Sequence, residues 1–179
     1  RESNLDPAVG WHGFHAIERD LFQAGAITAS TTQLAAELLT NVTTLDSLVK
    51  TLSYKPEDLA NGAASLLEEV QSGKISGEEE AYSHIDLVDF AGNVEGAQQA
   101  FAYLEPGLTT LDSGLTQQIS AQFAAVNKLL DGYRDQSAIG GYVRYTDAVK
   151  AADAVTLSRA VQALQEPLAQ IAEKAATAS

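Results

Sequence analysis

The sequence predicts an all-α protein built as antiparallel helical bundles. Apolar residues recur at three- and four-residue steps along most of the chain, and no stretch keeps a period-two alternation. Proline, glycine and capping residues mark the ends of the periodic runs, while Pro167 lies inside the last of them.

The elements follow in order. Asp6-Pro7 reads as an N-cap with proline at the first helical position, and Gly25 as the end of that first helix. Ser30 or Thr31 caps a second helix, marked by Leu34, Leu38, Leu45, Leu48, Val49 and Leu52. Pro56 starts a third, and Glu57 and Asp58 suit the positive end of its dipole. Leu59, Ala63, Leu66, Leu67 and Val70 form its apolar face, and Gly73 ends it. The stretch GKISGEEEAYSH, residues 73–84, reads as a loop. A fourth helix carries the clearest stripe, Leu87, Phe90, Val94, Ala97, Phe101 and Leu104, and Pro106-Gly107 is expected to break it. Leu115, Ile119, Phe123, Val126 and Leu130 mark a fifth. SAIGGYVRY, residues 137–145, is a connector. Val155, Val161, Leu164, Leu168 and Ile171 mark the last helix, where Pro167 predicts a kink. About six helices with short connections give the bundle arrangement.

Composition bounds the function. The chain has 179 residues, 45% of them apolar, enough for one core or two small ones sharing an interface. A formal net charge of −13 repels nucleic acid and anionic lipid and attracts cations. With no cysteine there is no disulfide, thiolate metal site or cysteine nucleophile. No apolar run approaches the ~18 residues of a membrane span. The opening RESNLDPAVG is no signal peptide, so an exported protein would already have lost its leader.

Two places hold groups suited to chemistry. In GWHGFHAIERD, residues 10–20, His15 and Glu18 stand three apart, on one face of a helix and within reach of a common ion. Imidazole with carboxylate suits zinc, iron, copper or manganese. Gly13 lies beside them, where a missing side chain lets another backbone or a ligand approach. His12 is rotated from His15 by about 60° and reads as a partly exposed helix residue. In the second place, residues 77–90, His84 stands among acids at the start of the fourth helix. The run Glu78-Glu79-Glu80 reads as a solvated loop and Asp86 as a helix cap. Asp89 and Asn93, one turn apart beside an apolar stripe, are harder to dismiss. Among enzyme signatures, there is no Gly-x-Ser-x-Gly elbow, no phosphate loop and no His-Glu-x-x-His helix.

GFHAIE, residues 13–18, matches the Gly-x-His-x-x-Glu motif of imelysin-like proteins. EEAYSHIDLVDFAGNVEGA, FAAVNKLLDGYR and VQALQEPLAQIAEKA resemble, in the same order, the EfeO and EfeM branch of that family. The resemblance runs from the first residue nearly to the last, and implies a single imelysin-like helical domain over residues 1–179 that starts inside the family domain. It implies two four-helix-bundle-like halves and an exported protein, periplasmic or extracellular and in some cases lipid-anchored. Such a protein serves elemental-iron uptake beside an iron permease and a haem peroxidase. The resemblance implies a transition metal ion, iron in the first place and zinc or copper in the second. The resemblance places the site at the His-x-x-Glu motif, here His15 and Glu18, with acids from elsewhere; from the residues themselves, Asp89 and His84 are the next candidates, with Glu2, Gly13, Asp86 and Asn93 supporting them. Members of the branch normally carry an upstream helix with a Glu-x-x-Glu segment. The expectation for a chain beginning at Arg1-Glu2 is therefore a site short of acids, a bundle lacking its N-terminal helix, and a groove covered by that segment or by another copy. A non-enzymatic metal-binding component is the leading reading. The alternatives are a metallopeptidase, as some relatives are classed, an alginate-type polysaccharide binder, and a helical interaction module.

Overall fold

The computed structural model describes residues 10–177, and its regular structure is helical. Six α-helices occur among these residues: α1 (Gly13–Glu18), α2 (Ala29–Val49), α3 (Pro56–Glu69), α4 (Asp86–Leu111), α5 (Ser113–Asp131) and α6 (Asp147–Thr177). The all-α expectation holds. The chain divides into two compact units. One contains the described residues up to Ser53 together with Glu79–Ser83; the other contains Tyr54–Glu78 and the chain from His84 on.

The larger unit is a four-helix bundle. α3 packs on α4 and α6, α4 on α5, and α5 on α6, so the four helices close a ring. Its centre is filled by Leu67, Phe90, Ile119, Phe123, Leu157 and Leu164, each at most 1% exposed. Each such side chain contributes about 1.5–3 kcal/mol by leaving water. Phe101 and Phe123 meet with ring centroids 5.6 Å apart. Val155 was expected in the α6 stripe but faces outward at 63% exposure; Leu157 takes the core position instead.

Two boundaries in this unit differ from the sequence reading. Pro106-Gly107 does not end α4, which runs on to Leu111. The turn beyond the proline carries Leu108, which is buried, and that packing outweighs the hydrogen bond that proline forfeits. The break falls at Asp112, whose Oδ1 accepts the Leu115 backbone N–H at 2.9 Å and caps α5. α3 likewise ends at Glu69, and Gly73 lies inside a π-helical turn, Val70–Lys74. Pro167 lies within α6, which continues through it.

The smaller unit holds α1, a π-helical turn (Arg19–Gln23) and α2. The expected helix from Pro7 to Gly25 is shorter. Its Asp6-Pro7 cap lies outside the described residues, and Gly10, Trp11 and His12 are not helical. Gly10 and Gly13 have φ of +73°, a conformation that interrupts a right-handed helix and that glycine adopts without steric cost. Gly25, with φ of +63°, stands just past the π turn, as expected of a terminating glycine. The cap of α2 is Thr28, not Ser30 or Thr31: its hydroxyl accepts the Thr31 N–H at 3.2 Å while the Thr31 hydroxyl oxygen accepts the Thr28 N–H at 3.1 Å. α2 is held at its start, where the Thr31 hydroxyl donates to Asp20 at 2.7 Å. From Leu39 onward every residue of α2 is exposed, including Leu45 at 57% and Leu48 at 55%.

Candidate metal centre

The two glycines at +73° bracket Trp11-His12 and let α1 start abruptly at Gly13. A β-carbon on Gly13 would meet nothing within 4 Å, so the residue is needed for its φ and not for room beside a ligand. Within α1, Ala16 is fully buried and sets which face turns inward. His15 and Glu18 lie one turn apart beside that face. The Arg19 guanidinium stacks on Trp11 at 5.1 Å from the ring centroid, fixing the turn that follows. The chain then enters the π turn, a distortion often found beside functional groups.

Glu18 is 7% exposed and fully engaged. Its Oε1 accepts three hydrogen bonds: the Tyr82 N–H at 3.0 Å, the Ser83 N–H at 2.8 Å and the Ser83 hydroxyl at 2.8 Å. Its Oε2 lies 3.3 Å from His15 Nδ1. Glu80, 8% exposed, approaches the same imidazole, with Oε1 at 3.7 Å from Nδ1. Its Oε2 lies 3.1 Å from the Ser83 hydroxyl, which is wholly buried. His15, Glu18 and Glu80 each offer one ligand atom within 4.8 Å of the others. All three belong to the smaller unit.

This donor set fits a transition metal. One imidazole nitrogen and two carboxylate oxygens surround a common point, and His15 remains partly exposed as a way in for an ion. Burying two carboxylates side by side is unfavourable unless a cation lies between them.

The other residues singled out in the sequence have different surroundings. His12 precedes α1 without a side-chain cap bond and lies 3.1 Å from Glu37 Oε2, at the edge of a cavity it shares with Trp11 and Arg19. His84, Asp86, Asp89 and Asn93 belong to the larger unit. Asp89 lies 3.6 Å from Lys74 Nζ, and Asn93 donates to the Leu66 carbonyl at 3.2 Å. Asp86 opens α4 and is buried. His84 adopts φ of +56°, the only such non-glycine among the described residues, and its carbonyl accepts the Tyr145 N–H at 2.8 Å. Glu2 lies outside the described residues. Sequence reasoning set Glu80 aside as part of a solvated acidic run and did not consider Ser83. No spacing rule links either to Glu18, more than sixty residues earlier.

Comparison with known proteins places this geometry in a context. The imelysin family model, which carries a peptidase label, matches residues 2–171. A Staphylococcus haemolyticus protein named an EfeM/EfeO family lipoprotein is 41% identical over 162 residues, which is 90% of this chain and 55% of that protein. A protein of the same name from Staphylococcus aureus strain MRSA252 is 41% identical over 90% of this chain and 56% of its own length. One from strain NCTC 8325 is 40% identical over the same shares. The chain thus spans a little over half the length of these curated relatives.

Proposed function

This chain belongs to the imelysin family, and from that membership and the centre at His15 we propose that it is a metal-binding component of an iron-uptake system. The observation that carries the proposal is the convergence of His15, Glu18 and Glu80, two of them buried acids, on one point. In this reading His15 supplies a nitrogen donor, and Glu18 Oε2 and Glu80 Oε1 supply oxygens. The ion is cargo, with iron favoured over zinc or copper by the likeness to EfeM/EfeO lipoproteins. The same likeness supports an exported, lipid-tethered protein working beside an iron permease and a haem peroxidase. None of the described helices is long and apolar enough to cross a membrane.

Calorimetric titration with Mn²⁺, a stable stand-in for Fe²⁺, tests the assignment. His15→Ala, Glu18→Gln and Glu80→Gln should each weaken binding by about 100-fold or more, beyond the ~10–100-fold carried by a ligand's supporting partners. His12→Ala should change it little, because His12 is engaged by Glu37. Equal affinities across all four variants would overturn the proposal. The family's peptidase label favours a second reading, metal-dependent peptide hydrolysis. Casein cleavage by zinc-loaded protein, lost in Glu18→Gln, would select that reading instead.

A further inference from the structure

Ser83 lies behind the two carboxylates, on the side away from His15. Its hydroxyl reaches Glu18 Oε1 at 2.8 Å and Glu80 Oε2 at 3.1 Å, while the opposite oxygens, Glu18 Oε2 and Glu80 Oε1, are the ones nearest His15 Nδ1. Each carboxylate therefore has one oxygen turned to the serine and one to the imidazole. We propose that Ser83 is a positioning residue that sets metal specificity, by confining Glu18 and Glu80 to one-oxygen ligation. The inference rests on the metal-binding reading above.

The argument is one of lone pairs and geometry. Glu18 Oε1 already accepts from two backbone N–H groups and one hydroxyl, so it has no lone pair left to share with a cation. The two successive N–H groups form an anion-holding concavity. Glu18 can grip an ion with both oxygens only by abandoning all three bonds. Calcium takes six to eight oxygens, a number that is reached more easily where a carboxylate can give both of its oxygens. First-row transition ions accept imidazole and need fewer donors. A centre with single-oxygen carboxylates and one imidazole thus discriminates against calcium, the hard divalent ion an exported protein meets in excess. With Ser83 removed, Glu80 loses its contact with that hydroxyl and Glu18 keeps only its two backbone N–H bonds, so the hold on the rear oxygens weakens and two-oxygen ligation becomes less costly.

The test compares wild type, Ser83→Ala and Ser83→Thr in calorimetric titrations with Mn²⁺ and with Ca²⁺, alongside the visible absorption of bound Co²⁺ and a thermal melt. Ser83→Ala should weaken Mn²⁺ binding about tenfold, the low end for a ligand's supporting partner. It should also shrink the Mn²⁺-over-Ca²⁺ preference and alter the Co²⁺ spectrum. Ser83→Thr, which keeps the hydroxyl, should restore all three. An unchanged preference and spectrum in Ser83→Ala would overturn the inference while leaving the metal-binding reading intact. So would equal loss in Ala and Thr variants that both melt early, since that marks a role in folding alone. Failure of the wild type to bind any of the ions would instead overturn the metal-binding reading itself.

Discussion

Gly13 and Gly140 both take left-handed backbone conformations, yet replacing them should cost the protein differently. At Gly13 the space around a new β-carbon is open, so Gly13→Ala meets only the backbone penalty of φ +73°, about 1–2 kcal/mol. At Gly140, with φ of +74°, the same atom would also stand 2.5 Å from Val88 Cγ2, adding overpacking of about 1–3 kcal/mol. Urea melts should therefore rank Gly140→Ala as the more destabilised variant; the reverse order would mean that Val88 yields freely. Single residues also show where sequence reading works. His15 and Glu18 are legible because three residues of helix fix their relation. Glu80 is not, since an acid in a run of three is defined only by the fold that buries it, and neither is Ser83, a serine in a turn with no local signature.

Helices were legible wherever burial has a helical period, and their ends were legible less often. α4 illustrates the limit: a local rule stops it at Pro106, but the burial of Leu108 carries it to Asp112. That aspartate has two tasks. Oδ1 caps α5 through the Leu115 N–H, and Oδ2 lies 2.8 Å from Lys174 Nζ on α6. The lysine hydrogen bond, followed by the backbone bond, holds the Asp112 carboxyl below its ordinary 3.8, and the same partner raises the Lys174 ammonium above 10.5. A depressed carboxyl contributes stability that is present above its unfolded value and lost as pH falls through the folded one. The acid-side loss should therefore begin near pH 4 and deepen below it. The lysine's contribution is present below its unfolded value and fades only as pH rises beyond the ordinary lysine range. Lys174 is exposed and Asp112 partly so, and salt should therefore weaken the effect. Asp112→Asn keeps a capping oxygen and removes the charge. It should melt near wild type at neutral pH in moderate salt, with a shallower decline between pH 5 and pH 2 (roughly the window of carboxylate titration). Asp112→Ala should melt lower throughout. Parallel melting curves for Asn and wild type across that window would refute the ion pair's part.

At the scale of the whole molecule the two units are stabilised by different means. The four-helix unit encloses a core of leucine, isoleucine, valine and phenylalanine drawn from all its helices. The smaller unit ties its parts together with polar bonds: Thr31 to Asp20, His12 to Glu37, and Glu18 to the Tyr82-Ser83 backbone. The helical period of α2 was plain in the sequence, but its exposure was not, because a leucine stripe reads the same whether or not a neighbour covers it. That exposure has a consequence in time. Helices of fewer than about 12–15 residues are marginal in water without packing, and the uncovered stretch of α2 from Leu39 to Val49 is of that kind. Its amides should open by local fraying, independently of the four-helix unit, and trade their hydrogens for deuterium within seconds. The α4 amides around Phe90 and Val94 should wait for far rarer openings. Pulsed exchange read by mass spectrometry would then divide the molecule into a fast clock and a slow one, with α2 protected only in its first turns, where Thr31 is anchored.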